Sequence, residues 1–201
     1  IMRAYERLLN YVVIRTPSDE HSTTSPSSQC QFDLARILAD EMTALGISDV
    51  SLDEFCYVYG KIPATKGYES KTKLGFIAHM DTVSDFADHA VNPVVHENYD
   101  GKDLKLSESG RTLETAVFPH LASLAGKTLI TSDGTTVLGA DDKAGVAEIM
   151  TLAEALLAGE FPHGQISIAF TPDEEIGEGA DFFDVPGFDA EFAYTVDLSL
   201  I

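Results

Sequence analysis

Four short apolar runs end on histidine or acidic residues: Leu74 to His79 and Asp81, Thr136 to Asp141, Ile166 to Glu175, and Phe192 to Asp197. An apolar strand that stops on such a residue delivers it to the rim of a sheet, where open α/β folds bind their ligands. One imidazole among three or more carboxylates is an oxygen-rich donor set, suited to a pair of zinc, manganese or cobalt ions bridged by a carboxylate. The pattern points to a metal site.

Each motif has its own weight. In His79-Met80-Asp81 the two polar side chains project to the same side of an extended backbone, so one can bind metal while the other accepts the second ring proton. Alone, His-x-Asp more often marks a hydrogen-bonded structural histidine. Gly139-Ala140-Asp141-Asp142-Lys143-Ala144-Gly145 is more specific, with adjacent carboxylates between small residues where a helix begins. Asp142 reads reasonably as a helix cap, whereas the pair at a strand-to-helix switch points to a cation. In Thr171-Pro172-Asp173-Glu174-Glu175-Ile176-Gly177 an extended backbone would turn Glu174 and Glu175 opposite ways, one as metal ligand and one as proton carrier. Asp197 is the last strand-end acid.

The elements that must position these residues follow from periodicity. Tyr5, Leu8, Leu9, Val12 and Val13 recur at helical spacing, and Leu34, Ile37, Leu38, Met42 and Leu45 stripe a second helix that Gly46 is placed to end. The Ser/Thr/Pro-rich tract between them, Ser22 to Ser28, reads as an ordinary loop. Strands are expected over Val50–Phe55, Tyr57–Pro63, Leu74–Ala78, Thr128–Ser132, Gln165–Thr171 and Phe192–Val196. A third helix is expected over Lys143–Ala158, capped by Gly159. The polar stretch from His96 to Gly110 reads as a surface excursion without chemistry. The fold class is α/β, a mixed and largely parallel sheet flanked by helices on both faces.

Composition sets outer limits. At 201 residues the chain can bury roughly 70% of its unfolded surface, enough for one substantial core and mostly one domain. A formal net charge of −20 argues against nucleic acid and anionic membrane surfaces as partners and favours cationic ligands, although solubility alone is the commoner reason for such a charge. No run approaches the roughly 20 apolar residues of a membrane span, and a cytoplasmic protein is expected. Cys30 and Cys56 form no close pair and read as reduced, buried thiols.

With the order His79-x-Asp81, Gly139-Ala140-Asp141-Asp142-Lys143, Glu174-Glu175 and Asp197, the chain resembles the co-catalytic zinc peptidases, a family that includes carboxypeptidases and aminoacylases, and within it the tripeptide-cleaving aminopeptidases. The resemblance runs along the whole chain. It implies that His79 and Asp197 hold one zinc and Glu175 the other, with Asp141 bridging both. It further implies Glu174 as general base, Asp81 as supporting carboxylate, a cis peptide between Asp141 and Asp142, short peptides as substrates, and a homodimer for the full-length protein.

Family members continue through a lid or dimerisation domain and back to a distal histidine that completes the second site. The chain is therefore expected to be the N-terminal part of the catalytic domain over residues 1–201, closed by an atypical Leu198-Ser199-Leu200-Ile201 ending. It should hold at most one metal well, at His79, Asp141 and Asp197, with hydrolysis weak or absent. Two other activities fit the same residues less well: a carboxypeptidase or N-acyl amino acid deacylase of this fold, and a non-catalytic acidic domain for calcium or magnesium, against which His79 speaks. His21, His89, His96, His120 and His163 lack partners at ligand spacing and are read as structural.

Overall fold

The computed structural model describes residues 1–197; the Leu198–Ile201 ending lies outside them. The chain forms two compact units, Ile1–Ser84 with the segment from Gly139 onward, and Asp85–Leu138. The excursion expected over His96–Gly110 is thus only part of a unit of its own, where the sequence reading expected mostly one domain.

The first unit opens with α1 (Ala4–Val12) and α2 (Gln31–Leu45), followed by β1 (Ser48–Leu52), β2 (Val58–Ile62) and β3 (Leu74–His79). The second unit holds β4 (Pro93–His96), β5 (Leu104–Lys105), β6 (Thr112–Leu113) and β7 (Leu129–Ser132), paired antiparallel as β4 with β7 and β5 with β6. The chain then re-enters the first unit with α3 (Ala140–Leu157), β8 (Ile166–Thr171), the short α4 (Val185–Phe188) and β9 (Phe192–Thr195).

The main sheet has the order β1-β2-β8-β3-β9. β1 with β2 and β2 with β8 pair antiparallel, while β8 with β3 and β3 with β9 pair parallel. The sheet is therefore mixed, with the parallel part confined to the three strands that carry the acidic ends. β1 is shorter than expected because Asp53 accepts N–H bonds from Phe55 and Tyr57 at 3.0 and 2.9 Å, folding Asp53–Cys56 into a turn.

Alternation sorts the strands into two faces. Ala78, Ile168 and Phe170 meet Leu34, Leu38, Met42, Val146 and Met150 of α2 and α3 in the core, and each such side chain withdrawn from water stabilises the fold by about 1.5–3 kcal/mol. Gly60 is needed there, since a Cβ would lie 2.4 Å from the Met42 methyl.

The opposite face carries a lighter cover, the segment 179–190 with α4. Tyr57 donates to the Gly179 carbonyl at 3.2 Å, Tyr59 accepts from the Asp184 N–H at 2.9 Å, and Phe188 lies against Gly75. Helices thus lie on both faces, but unequally.

Two stripes are rotated from expectation. α1 buries Arg7, Tyr11 and Val12 while Tyr5 and Val13 are exposed, and α2 buries Gln31 and Ala35 while Ile37 is exposed. Cys56 is buried, but Cys30 is only half-buried.

Candidate metal centre

Parallel pairing decides which residues meet. His79 stands opposite Thr171 in the register of β3 with β8, and the Met80 N–H donates to the Thr171 carbonyl at 2.8 Å. On the other side the Val196 N–H donates to the Ile77 carbonyl at 2.8 Å. The strand ends therefore share one rim, which brings together His79, the Glu174–Glu175 loop and Asp197.

His79 is 2% exposed. Its Nδ1 lies 3.2 Å from Asp81 Oδ1 and 3.0 Å from the Asp81 carbonyl, and its Nε2 lies 3.1 Å from Asp141 Oδ1 and 3.7 Å from Glu174 Oε2. Burial on its own would lower the imidazole pKa, but the hydrogen bond and charge of Asp81, with Asp142 and Glu174, outweigh it and push the pKa up to about 9. Asp81 is fully buried and does more than face the ring: its two oxygens accept the N–H groups of Glu174 and Glu175 at 3.0 and 3.1 Å.

The peptide between Asp141 and Asp142 is cis. Neither residue has helical backbone angles, so the regular part of α3 starts at Lys143. Asp142 is wholly buried, with Oδ1 accepting from the Gly145 N–H at 3.1 Å and Oδ2 from the His79 N–H at 3.3 Å. The first of these bonds caps the helix. Burial, with Asp197 nearby, pushes its pKa up to about 7 against the pull of His79. Gly145 lets α3 press on the chain beyond β9, since a Cβ there would lie 2.1 Å from the Val196 carbonyl oxygen. Lys143 is buried, donates to the Ile14 carbonyl at 2.6 Å, and has its pKa lowered by burial to about 8.

His79, Asp141 and Asp197 each offer one ligand atom, and these atoms all lie within 4.8 Å of one another. Glu175 is not part of that trio. Burial, and then the charge of Asp141, raise its pKa, with Asp81 and Glu174 adding to the effect and His79 opposing it. A buried imidazole aimed into carboxylates, with one nitrogen and several oxygens converging, fits a divalent ion such as zinc. The other histidines have local partners instead: His96 meets Thr131, His89 meets Asp88 and Thr135, and His163 meets the Gly164 carbonyl.

Known proteins share this arrangement of sequence. Over 194 residues the chain is 55% identical to peptidase T of Desulfitobacterium hafniense (strain Y51), a match covering 96% of this chain and 47% of that relative. It is 50% identical over 196 residues to peptidase T of Clostridium perfringens (strain ATCC 13124), covering 97% of this chain and 48% of the relative. Along nearly its whole length the chain is similar to peptidase T.

It spans about half the length of the curated peptidase T relatives it matches. No family model matches it. Among solved structures, a tripeptidase from Staphylococcus aureus subsp. aureus Mu50 aligns at 29% identity and TM-score 0.66, covering 98% of this chain and 43% of that one. Aminopeptidase PepT from Bacillus cereus ATCC 10987 aligns at 24% identity and TM-score 0.69 over the same shares, which speaks for the fold alone.

A cleft of about 580 Å³ opens beside His79 and Glu174, with Ile77 and Thr195 of the lightly covered sheet face and Phe183 and Phe188 among its lining residues. Sequence reasoning missed one group near the rim. Asp173 is 1% exposed and bonded to Ser27 and Gln31. The available signal was Gln31 itself, a polar residue at the head of the stripe Leu34, Leu38 and Met42.

Proposed function

We propose that this chain is the N-terminal part of the catalytic domain of a cytoplasmic, zinc-dependent aminopeptidase that releases the N-terminal residue from short peptides, tripeptides among them. The observation that carries the reading is the convergence of His79, Asp141 and Asp197 within 4.8 Å, with Glu174 Oε2 3.7 Å from the same imidazole. The names of the relatives, peptidase T and a tripeptidase, support the substrate class.

In this reading His79, Asp141 and Asp197 would hold one ion, and Glu175 and Asp141 would contribute to a second. Bound there, the metal supplies a Lewis acid that polarises the scissile carbonyl and acidifies water. Asp81 fixes the imidazole through Nδ1, so that Nε2 faces the metal site. Glu174, with its side chain half-exposed, takes a proton from the attacking water at its carboxylate and returns it to the leaving amine. At most one ion would be well held by this chain.

Metal analysis after dialysis against zinc, followed by assays of a free tripeptide and its N-acetylated form, tests the reading. One zinc per chain, with turnover in the parent enzyme confined to the free amine, is expected. Preference for the acetylated peptide identifies a deacylase instead, and no retained zinc in either the parent or a His79→Ala control defeats the metal site.

A further inference from the structure

Asp173 immediately precedes the loop that carries Glu174 and Glu175, yet it makes no side-chain bond to its own turn. An aspartate at that position ordinarily caps the turn it begins. Here Oδ2 accepts the Ser27 N–H at 2.7 Å, while Oδ1 accepts the Ser27 hydroxyl and, at 2.7 Å, the Gln31 side-chain amide. Gln31 closes the pair by accepting the Asp173 N–H through Oε1 at 3.3 Å. Each of these donors is neutral, and a buried carboxylate without a cation beside it is retained only where its hydrogen bonds are well made. The backbone of Asp173 sits at φ +54°, a region that side-chain-bearing residues seldom adopt.

The same N-terminal loop braces the other support of the acidic turn. Thr82 donates its N–H to the Thr16 carbonyl at 3.1 Å, Ser18 donates its N–H to the Thr82 carbonyl at 3.0 Å, and the Thr16 hydroxyl donates to the Met80 carbonyl at 2.7 Å. Asp81, held between these contacts, receives the N–H groups of Glu174 and Glu175. The loop from Thr16 to Gln31 thus grips the turn at its entrance, through Asp173, and from beneath, through Asp81.

We infer that Ser27 and Gln31, acting through Asp173, are positioning residues that set the aim of Glu174 and Glu175. The inference rests on the aminopeptidase reading for its consequence but on hydrogen-bond geometry for its substance. Neither residue is a member of the metal trio, and their bonds run to Asp173, so their part in catalysis is exerted through the turn. It also gives the Ser/Thr/Pro-rich tract, read from sequence as an ordinary loop, a task at the site.

The test is residue-level amide hydrogen exchange on Gln31→Met and Ser27→Ala, with Ser27→Thr as the conservative variant that keeps both the hydroxyl and the N–H. In the first two, the amides of Glu174 and Glu175 should exchange about tenfold faster or more, while those of β3 and α3 stay within about twofold of the parent. Zinc affinity measured by calorimetry should also stay within about twofold, and Ser27→Thr should restore the parental rates. In tripeptide assays kcat should fall about tenfold at little-changed KM.

Unchanged exchange at Glu174 and Glu175, acceleration spread equally through β3 and α3, or a KM effect with kcat intact each overturns the inference. If Gln31→Met does not fold, Ser27→Ala against Ser27→Thr decides it. A full-length parent enzyme that hydrolyses no peptide, while the localised exchange is seen, defeats the aminopeptidase reading and leaves the clamp standing.

Discussion

Two clusters of charge in this protein are built on opposite plans. On the helical side, Arg7 is 2% exposed and meets Glu41 at 2.9 Å and Glu154 at 2.8 Å, with the Met2 carbonyl and the Thr151 hydroxyl both at 3.1 Å. At the sheet rim, Asp81, Asp141, Asp142, Glu174, Glu175 and Asp197 surround the single imidazole of His79. The carboxylates report the contrast directly. Glu154 has its pKa lowered, first by its hydrogen bond to Arg7, whereas Asp142 and Glu175 have theirs raised, first by burial. Matched charge fastens the scaffold; carboxylates crowded around one imidazole mark the place prepared for chemistry.

The largest effect expected from breaking this contrast is at the rim. Glu174→Gln should cost about 10²–10⁴-fold in peptide hydrolysis while bound zinc stays the same, because the amide takes up no proton. Surviving turnover would show that another group is the base.

On the matched side, Arg7→Met should lower stability in denaturant unfolding by roughly 2–4 kcal/mol, since two carboxylates lose their common partner. A loss under 1 kcal/mol would mean that Glu41 and Glu154 are already satisfied by water.

Glu154→Gln should cost about 1 kcal/mol at neutral pH, the figure reduced for a side chain that is 25% exposed. A carboxylate with a depressed folded-state pKa stabilises above its unfolded value of 4.5, and that contribution is lost as the pH falls through the depressed value. The gap between variant and parent should therefore close in acid.

The smallest effect carries the opposite sign. In metal-free protein Glu175→Gln should raise stability by up to about 1 kcal/mol, since the charged form is disfavoured there, and this gain too should vanish in acid. Destabilisation at neutral pH would sink the contrast between the two clusters.

Much of the rim was legible in the sequence because parallel strands translate linear order into a shared edge. An apolar run ending on His79 or Asp197 needs no tertiary information to be read as a strand end, and β8, buried on both faces, reads as a continuous apolar run. The rest depended on facts that periodicity does not encode. Arg7 was passed over because a buried cation looks like a solvent-facing residue until Glu41 and Glu154 arrive from two other helices. Asp81 revealed its partnership with the imidazole by spacing, but its grip on Glu174 and Glu175 needs the neighbouring strand. Asp173 and Ser27 are 146 positions apart, and no local pattern joins them. β7 of the second unit was expected, but β5 and β6, at two residues each, are too short to show a period.

Gly145 carries one more implication. Two of the trio's members are fixed from the strand and turn side, while Asp197 follows the segment that touches α3 at this glycine. A methyl group at position 145 would act as a shim against two neighbours at once, the Val196 carbonyl oxygen at 2.1 Å and the Asp142 carboxylate at 2.6 and 2.8 Å, so that Asp197 and the cis-linked Asp141–Asp142 pair would be displaced together. Gly145→Ala is therefore a dial on cation affinity that leaves every donor atom chemically untouched.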